Sequence, residues 1–254
     1  MFGPAHLLWL AVCLLLTAVV LYAQNAELRG DKCSSCIVPR LAAAAALLLH
    51  LLQCADRMRT GTYGPDTLPL HICAISTYLV VLHSFLCHGH RAFSPSSEDE
   101  AGTPASCPKL SSADVVGEIL FFPGLPGALA AILFPDWTYV SPLSVLSVTG
   151  FLAHLTIALY VFAAIRADLI RPSRPLIPIL FLACYAAVMI PYDKHFAMNY
   201  GFLNVPSPGS PLVFIAKIFG SGAGYYLGYA ILASLLLLLC YGLFALWKKR
   251  ARRI

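Results

Sequence analysis

The chain has 254 residues, of which 59% are apolar and only 11% charged, with a mean hydropathy of +0.77. Soluble domains carry roughly 25% charged residues, so neither a water-soluble globular protein nor a disordered chain fits. The formal charge of +5 is spread along the sequence except at the C-terminus, which leaves no basic face to follow a phosphate backbone and argues against nucleic-acid binding.

The apolar residues fall in runs of about twenty, the length needed to cross a hydrocarbon core roughly 30 Å thick. They predict an all-α, polytopic transmembrane bundle of about seven spans, near 5–23, 38–55, 69–87, 115–134, 142–165, 174–192 and 224–247. Ala5 to Ala23 has no basic residue before it and is longer than a signal-peptide core, so it is expected to be a retained span. The loops that follow spans one, three and five, together with the C-terminal tail, hold thirteen Lys and Arg, against three on the other side. By the positive-inside rule this predicts an N-out, C-in topology. The tail WKKRARRI suits stop-transfer and contact with anionic lipid.

Residues 93–114, SPSSEDE and its continuation, are too polar to offset their ordering entropy and are expected to form a flexible cytoplasmic linker. Cys33 and Cys36 make a lone CxxC in a predicted cytoplasmic loop, a weak signal for metal or redox chemistry. The nine cysteines are odd in number and lie mostly in or beside apolar runs, where Cys acts as a small hydrophobe rather than a disulfide partner. Nucleotide-binding, zinc-hydrolase and serine-hydrolase motifs are absent from the sequence, and no metal or cofactor is expected. Pro211 to Phe219 is apolar but short, and reads either as the first turns of the last span or as an interfacial segment.

Polar residues gather at the predicted outer side. His71 opens span three, Asp136 closes span four, Tyr192 to His195 close span six, and Asn199 and Tyr200 follow in the next loop. Ionisable groups near hydrocarbon face a cavity or a partner, so this convergence is a candidate site, although for Lys194 and His195 hydration at the interface is the preferred reading. His154 falls well inside span five and must face the bundle, either for function or for a structural hydrogen bond to a neighbouring helix. His50 and His83 read as structural. Span four carries Pro123, Gly124, Pro126 and Gly127, which predict a kink or break. That break is either a close helix crossing or a wall of the site, because backbone freed at that depth must be met by protein or a wet cavity.

Cys73 is two residues from His71, so the two point to different sides of a helix. A base for a Cys73 nucleophile must come from another span, and His154 is the candidate. From the predicted span limits, however, Cys73 lies some 10 Å shallower than His154.

Leu68-Pro69-Leu70-His71-Ile72-Cys73, Gly124-Leu125-Pro126-Gly127-Ala128 with Pro135-Asp136, His154, and Asn199-Tyr200-Gly201-Phe202-Leu203 together resemble the YwaF-like family of bacterial integral membrane proteins. That family in turn looks related to the animal transmembrane protein 164 family. The resemblance covers spans three to seven and implies residence in the bacterial cytoplasmic membrane and a thiol-dependent acyltransferase, or an acyl hydrolase, acting on phospholipid. Cys73 would carry the acyl group, His154 would act as base, and His71 and Asn199 would orient groups or stabilise an oxyanion. The residues alone leave two rivals open: a transporter or small-molecule binding protein using His71, Asp136 and His154, and a structural or assembly factor in which these groups satisfy one another. No protein partner is indicated by the sequence.

Overall fold

The computed structural model describes residues 3–29, 37–92, 110–136 and 140–251, with backbone alone for 88–92 and 251. The CxxC pair and most of the 93–114 linker lie outside the described residues. The described chain is helical: α1 Pro4–Arg29, α2 Ile37–Arg59, α3 Ile72–Ala92, α4 Ser112–Ile119, α5 Leu125–Leu133, α6 Val145–Arg166, α7 Leu176–Phe196, α8 Pro211–Phe219 and α9 Ala223–Ala251. Six segments are long and apolar enough to span a bilayer, the one from Ser112 to Leu133 made of α4, a π turn and α5, and α3 contributes a shorter apolar stretch, Ile72–Cys87. This is the expected bundle of about seven spans.

Contacts between helix ends fix an up-and-down order. At the end where α1 begins, here the upper face, His6 Nε2 is 3.0 Å from the Ile132 carbonyl and Trp9 Nε1 donates to the Pro142 carbonyl. At the lower face Gln24 donates to the Ala163 carbonyl and Arg166 to that of Leu21. The sequence reading places the upper face outside.

Helix α6 is the hub, buried from Ile157 to Val161 and again at Ala163 and Ala164. Helix α2 packs closely on it through Ala42, Ala43 and Ala46, small residues that let two helix backbones approach. One apolar core joins these helices to Val80 of α3, Val116 of α4 and Leu237 of α9.

The predicted break in span four is real. Leu120–Gly124 forms a π turn, with a cis Phe122-Pro123 bond and non-helical torsions at Phe122. Pro123 and Pro126 have no amide to return to the carbonyls four residues earlier, so the ladder slips and the Leu125 amide bonds Leu120 instead. Just below, Glu118 is 3% exposed and its carboxylate accepts the Ser173 and Arg174 amides at 2.7 Å and the Tyr241 hydroxyl. This anchors the break to the start of α7 and to α9.

Pro211–Phe219 is a helix in its own right rather than the first turns of the last span. Gly220 and Gly222, at φ 76° and 62°, turn the chain between α8 and α9. The two helices then run antiparallel, so close that a Cβ on Gly228 would stand 2.6 Å from Ile215 and Phe219 side-chain atoms. The 29 residues of α9 reach about 43 Å, more than a core of roughly 30 Å requires, and α8 flanks its upper turns.

Candidate functional site

Two loops at the upper face are drawn into the bundle and create the site. Before α3 the chain passes through a 3-10 turn at Pro65–Thr67 and an irregular stretch whose Leu70 carbonyl accepts the Tyr185 hydroxyl at 2.8 Å. Tyr185 sits in the middle of α7, so Leu68 to His71 lie below the bundle rim and α3 starts at depth. His71 is the residue before the helix, and its carbonyl accepts the Ile75 amide. Cys73 is thus in the first turn, where amides have no partner within the helix.

This narrows the predicted depth mismatch between Cys73 and His154. Helices α3 and α6 descend side by side and share a level where His83 Nδ1 meets the Tyr160 hydroxyl at 2.7 Å. Ten residues up each helix, about 15 Å by helical rise, stand Cys73 and Gly150. Helical side chains lean toward the N-terminus, and His154 Nδ1 is 2.7 Å from the Gly150 carbonyl. By this count the imidazole and the thiol stand nearer in depth than the span limits alone predict, and both lie within electrostatic reach of Asp136. Since a carbonyl only accepts, Nδ1 carries the proton and Nε2 presents its lone pair.

Asp136, exposed just beyond α5, lies within electrostatic reach of His71, Cys73 and His154. His71 also feels His154, Arg57 and Asp66. The structure brings these four sequence candidates into one neighbourhood. Cys73 and His154 lie deep among protein atoms yet each keeps some accessible surface. The helix break faces the first turns of α3: a Cβ on Gly127 would stand 4.0 Å from the Cys73 sulfur, and one on Gly124 3.2 Å from the Ser76 hydroxyl. Glycine at both places lets α5 and the π turn close against the first turns of α3.

Asn199 and Tyr200 serve the second loop. Asn199 Oδ1 accepts the Asn204 and Val205 amides and its Nδ2 donates to the Val205 carbonyl, so its amide is engaged in shaping its own turn. The Tyr200 hydroxyl donates to the Pro65 carbonyl, and the His71 ring packs edge-on against the Tyr200 ring at 4.8 Å. Burial holds the Tyr200 phenol above its ordinary range, which keeps it a donor. The sequence reading missed the supports of this loop: Tyr225, Tyr226 and Tyr229 of α9 donate to Phe202, Asn204 and Gly201. Their spacing puts three hydroxyls near one face of an otherwise apolar helix, a signal available in GYYLGY.

His50 and His83 have structural partners. His50 Nε2 is 3.0 Å from the Tyr78 hydroxyl. His83 holds Tyr160, and the Cys87 sulfur is 3.7 Å from both of its ring nitrogens. Among the described residues no group of three His, Cys, Asp or Glu side chains could hold a metal ion.

Fold and site define a polytopic helical membrane protein with a thiol, imidazoles and a carboxylate gathered in the upper half of its bundle. No curated protein and no solved structure matches the chain. It belongs to the TMEM164 family, whose model matches residues 1–244.

Proposed function

We propose that the protein transfers acyl groups to or from membrane lipids through a thioester on Cys73. The observation that carries this reading is that Asp136 lies within electrostatic reach of both the Cys73 thiol and the His154 ring, with the Cys73 sulfur against Gly127 beside the helix break. Gly150, whose carbonyl holds the His154 ring, is about 7 Å below the upper end of α6 by helical rise, near the boundary where the ester bonds of a lipid sit.

A thiol in apolar surroundings is inert until a base removes its proton. His154 Nε2 takes that proton and the sulfur attacks the ester carbonyl carbon. The first-turn amides of α3 face the developing oxyanion. Collapse breaks the ester C–O bond, the lysolipid oxygen takes the proton back from His154, and the acyl group remains on sulfur. A second lysolipid hydroxyl, or water in the hydrolytic variant, then gives its proton to His154 and attacks the thioester carbonyl. Cys73 leaves and is reprotonated. Asp136 steadies the imidazolium formed at each stage, and His71 lies beside the same path.

The test is incubation of the purified protein in lipid with a phospholipid carrying an alkyne-tagged acyl chain. The expected result is a hydroxylamine-labile label on the Cys73 peptide, lost in Cys73→Ala and strongly reduced in His154→Ala. A folded protein that takes no label, or keeps it in Cys73→Ala, refutes the proposal and favours a binding or transport role.

A further inference from the structure

We infer that the loop from Ala197 to Val205 is a gate over Cys73, and that Asp193 is the residue that drives it open. The inference uses Cys73 only as the group that is covered, so it stands or falls separately from the acyl-transfer reading.

The loop packs against the residues that flank Cys73. Tyr200 and Leu203 pack with Leu70 and Ile72 in one apolar cluster, and the rings of Tyr200 and Phe202 lie 4.8 and 6.0 Å from His71. Tyr229, which holds the Gly201 carbonyl at 3.1 Å, is within electrostatic reach of the Cys73 sulfur. The closed position is tied down by four phenols: Tyr200 to Pro65, Tyr225 to the Phe202 carbonyl at 2.8 Å, Tyr226 to Asn204 Oδ1 at 3.3 Å, and Tyr229.

Two features work against closure. Ala197 and Phe202 adopt φ of 53° and 56°, the left-handed region that non-glycine residues occupy at a cost. Beneath the loop, in the last turn of α7, Asp193 is 0% exposed, and among the described residues only the Tyr200 amide approaches its carboxylate, without reaching good hydrogen-bond geometry. The groups that face it are the phenols of Tyr185 and Tyr200 and the Tyr200 amide. Its neighbour Lys194 turns away, with Nζ 5.5 Å from the centre of the Tyr226 ring. A carboxylate buried with so little hydrogen bonding is costly, and the end of a helix adds the negative pole of its dipole. Lifting the loop admits water to Asp193 and relaxes both torsions, at the expense of the tyrosine bonds. Opposed contributions of this kind make a two-position element.

The experiment is alkylation of the full-length protein in lipid nanodiscs with N-ethylmaleimide, read cysteine by cysteine by peptide mass spectrometry. Glutathione added to the same sample is the internal reference. Relative to it, Tyr200→Phe and Tyr225→Phe are expected to speed Cys73 modification about fivefold each, the loss of one neutral hydrogen bond. Asp193→Asn, of the same size, is expected to slow it about tenfold by removing the cost of burying a charge. Unchanged Cys73 rates in the tyrosine variants overturn the gate, and an unchanged or faster rate in Asp193→Asn overturns the role of the carboxylate. If one variant fails to fold, the others still decide the question assigned to them, and Tyr226→Phe provides a third tyrosine.

Discussion

Glu118 fixes the helix break in place, and its replacement should show this in a graded way. Its Oε1 receives two amides at 2.7 Å and Oε2 receives the Tyr241 hydroxyl, in a residue 3% exposed. In Glu118→Gln the amide oxygen still accepts from Ser173 and Arg174, but charge assistance is lost and Tyr241 must reverse its role, a cost of about 1.5–3 kcal/mol. In Glu118→Ala two amides and a phenol are left without this acceptor, and about 3–6 kcal/mol is expected. Reversible unfolding in mixed micelles, followed by circular dichroism, measures both. Because Gly124 and Gly127 follow directly above Glu118, the Ala variant should also change the reactivity of Cys73. An Ala variant within about 1 kcal/mol of wild type, below the cost of a single orphaned buried group, or a Gln variant as unstable as Ala, would refute the reasoning.

Other expectations follow from the same physics. Tyr160→Phe strips buried His83 of its hydroxyl partner and should cost about 1–3 kcal/mol in the same unfolding assay. Gln24→Leu should change stability by less than about 1 kcal/mol, since the Gln24 bond to Ala163 is offset by its unpartnered Oε1, and the Ala163 carbonyl keeps the Ala167 amide. In α9, Gly228→Ala should destabilise by driving its Cβ into α8, whereas Gly242→Ala, with open space around it, should stabilise by up to about 1 kcal/mol through helix propensity. Thermal melts of the two variants side by side check this.

The spans were legible because a membrane core demands long apolar runs, and the Pro-Gly pairs of span four announced a break that the π turn fulfils. The start of α3 was not legible. Leu68 and Leu70 extend the apolar run of α3 toward its N-terminus, and only the bond from Tyr185, more than a hundred residues later in the chain, shows that this stretch is irregular and sunk below the rim. The apparent depth gap between Cys73 and His154 arose partly there and partly from the start of α6 at Val145, three residues later than the predicted span. His71, Cys73, Asp136 and His154 could be named as candidates from polarity and depth, whereas the engagement of Asn199 in its own turn and the clamping of its loop by α9 depend on contacts that no local pattern encodes. Glu118 gave no signal because a single acid in an apolar run does not reveal which backbone amides will reach it.

The central claim is that Cys73 and His154 act as one unit. Rates of acyl labelling at Cys73, measured in a single time course, test it most directly with His154→Gln, Asp136→Asn and the double variant. If Asp136 works through the imidazole, each single variant slows labelling and the double variant is no slower than His154→Gln alone. Losses that multiply independently, or a His154→Gln rate equal to that of wild type, would contradict it.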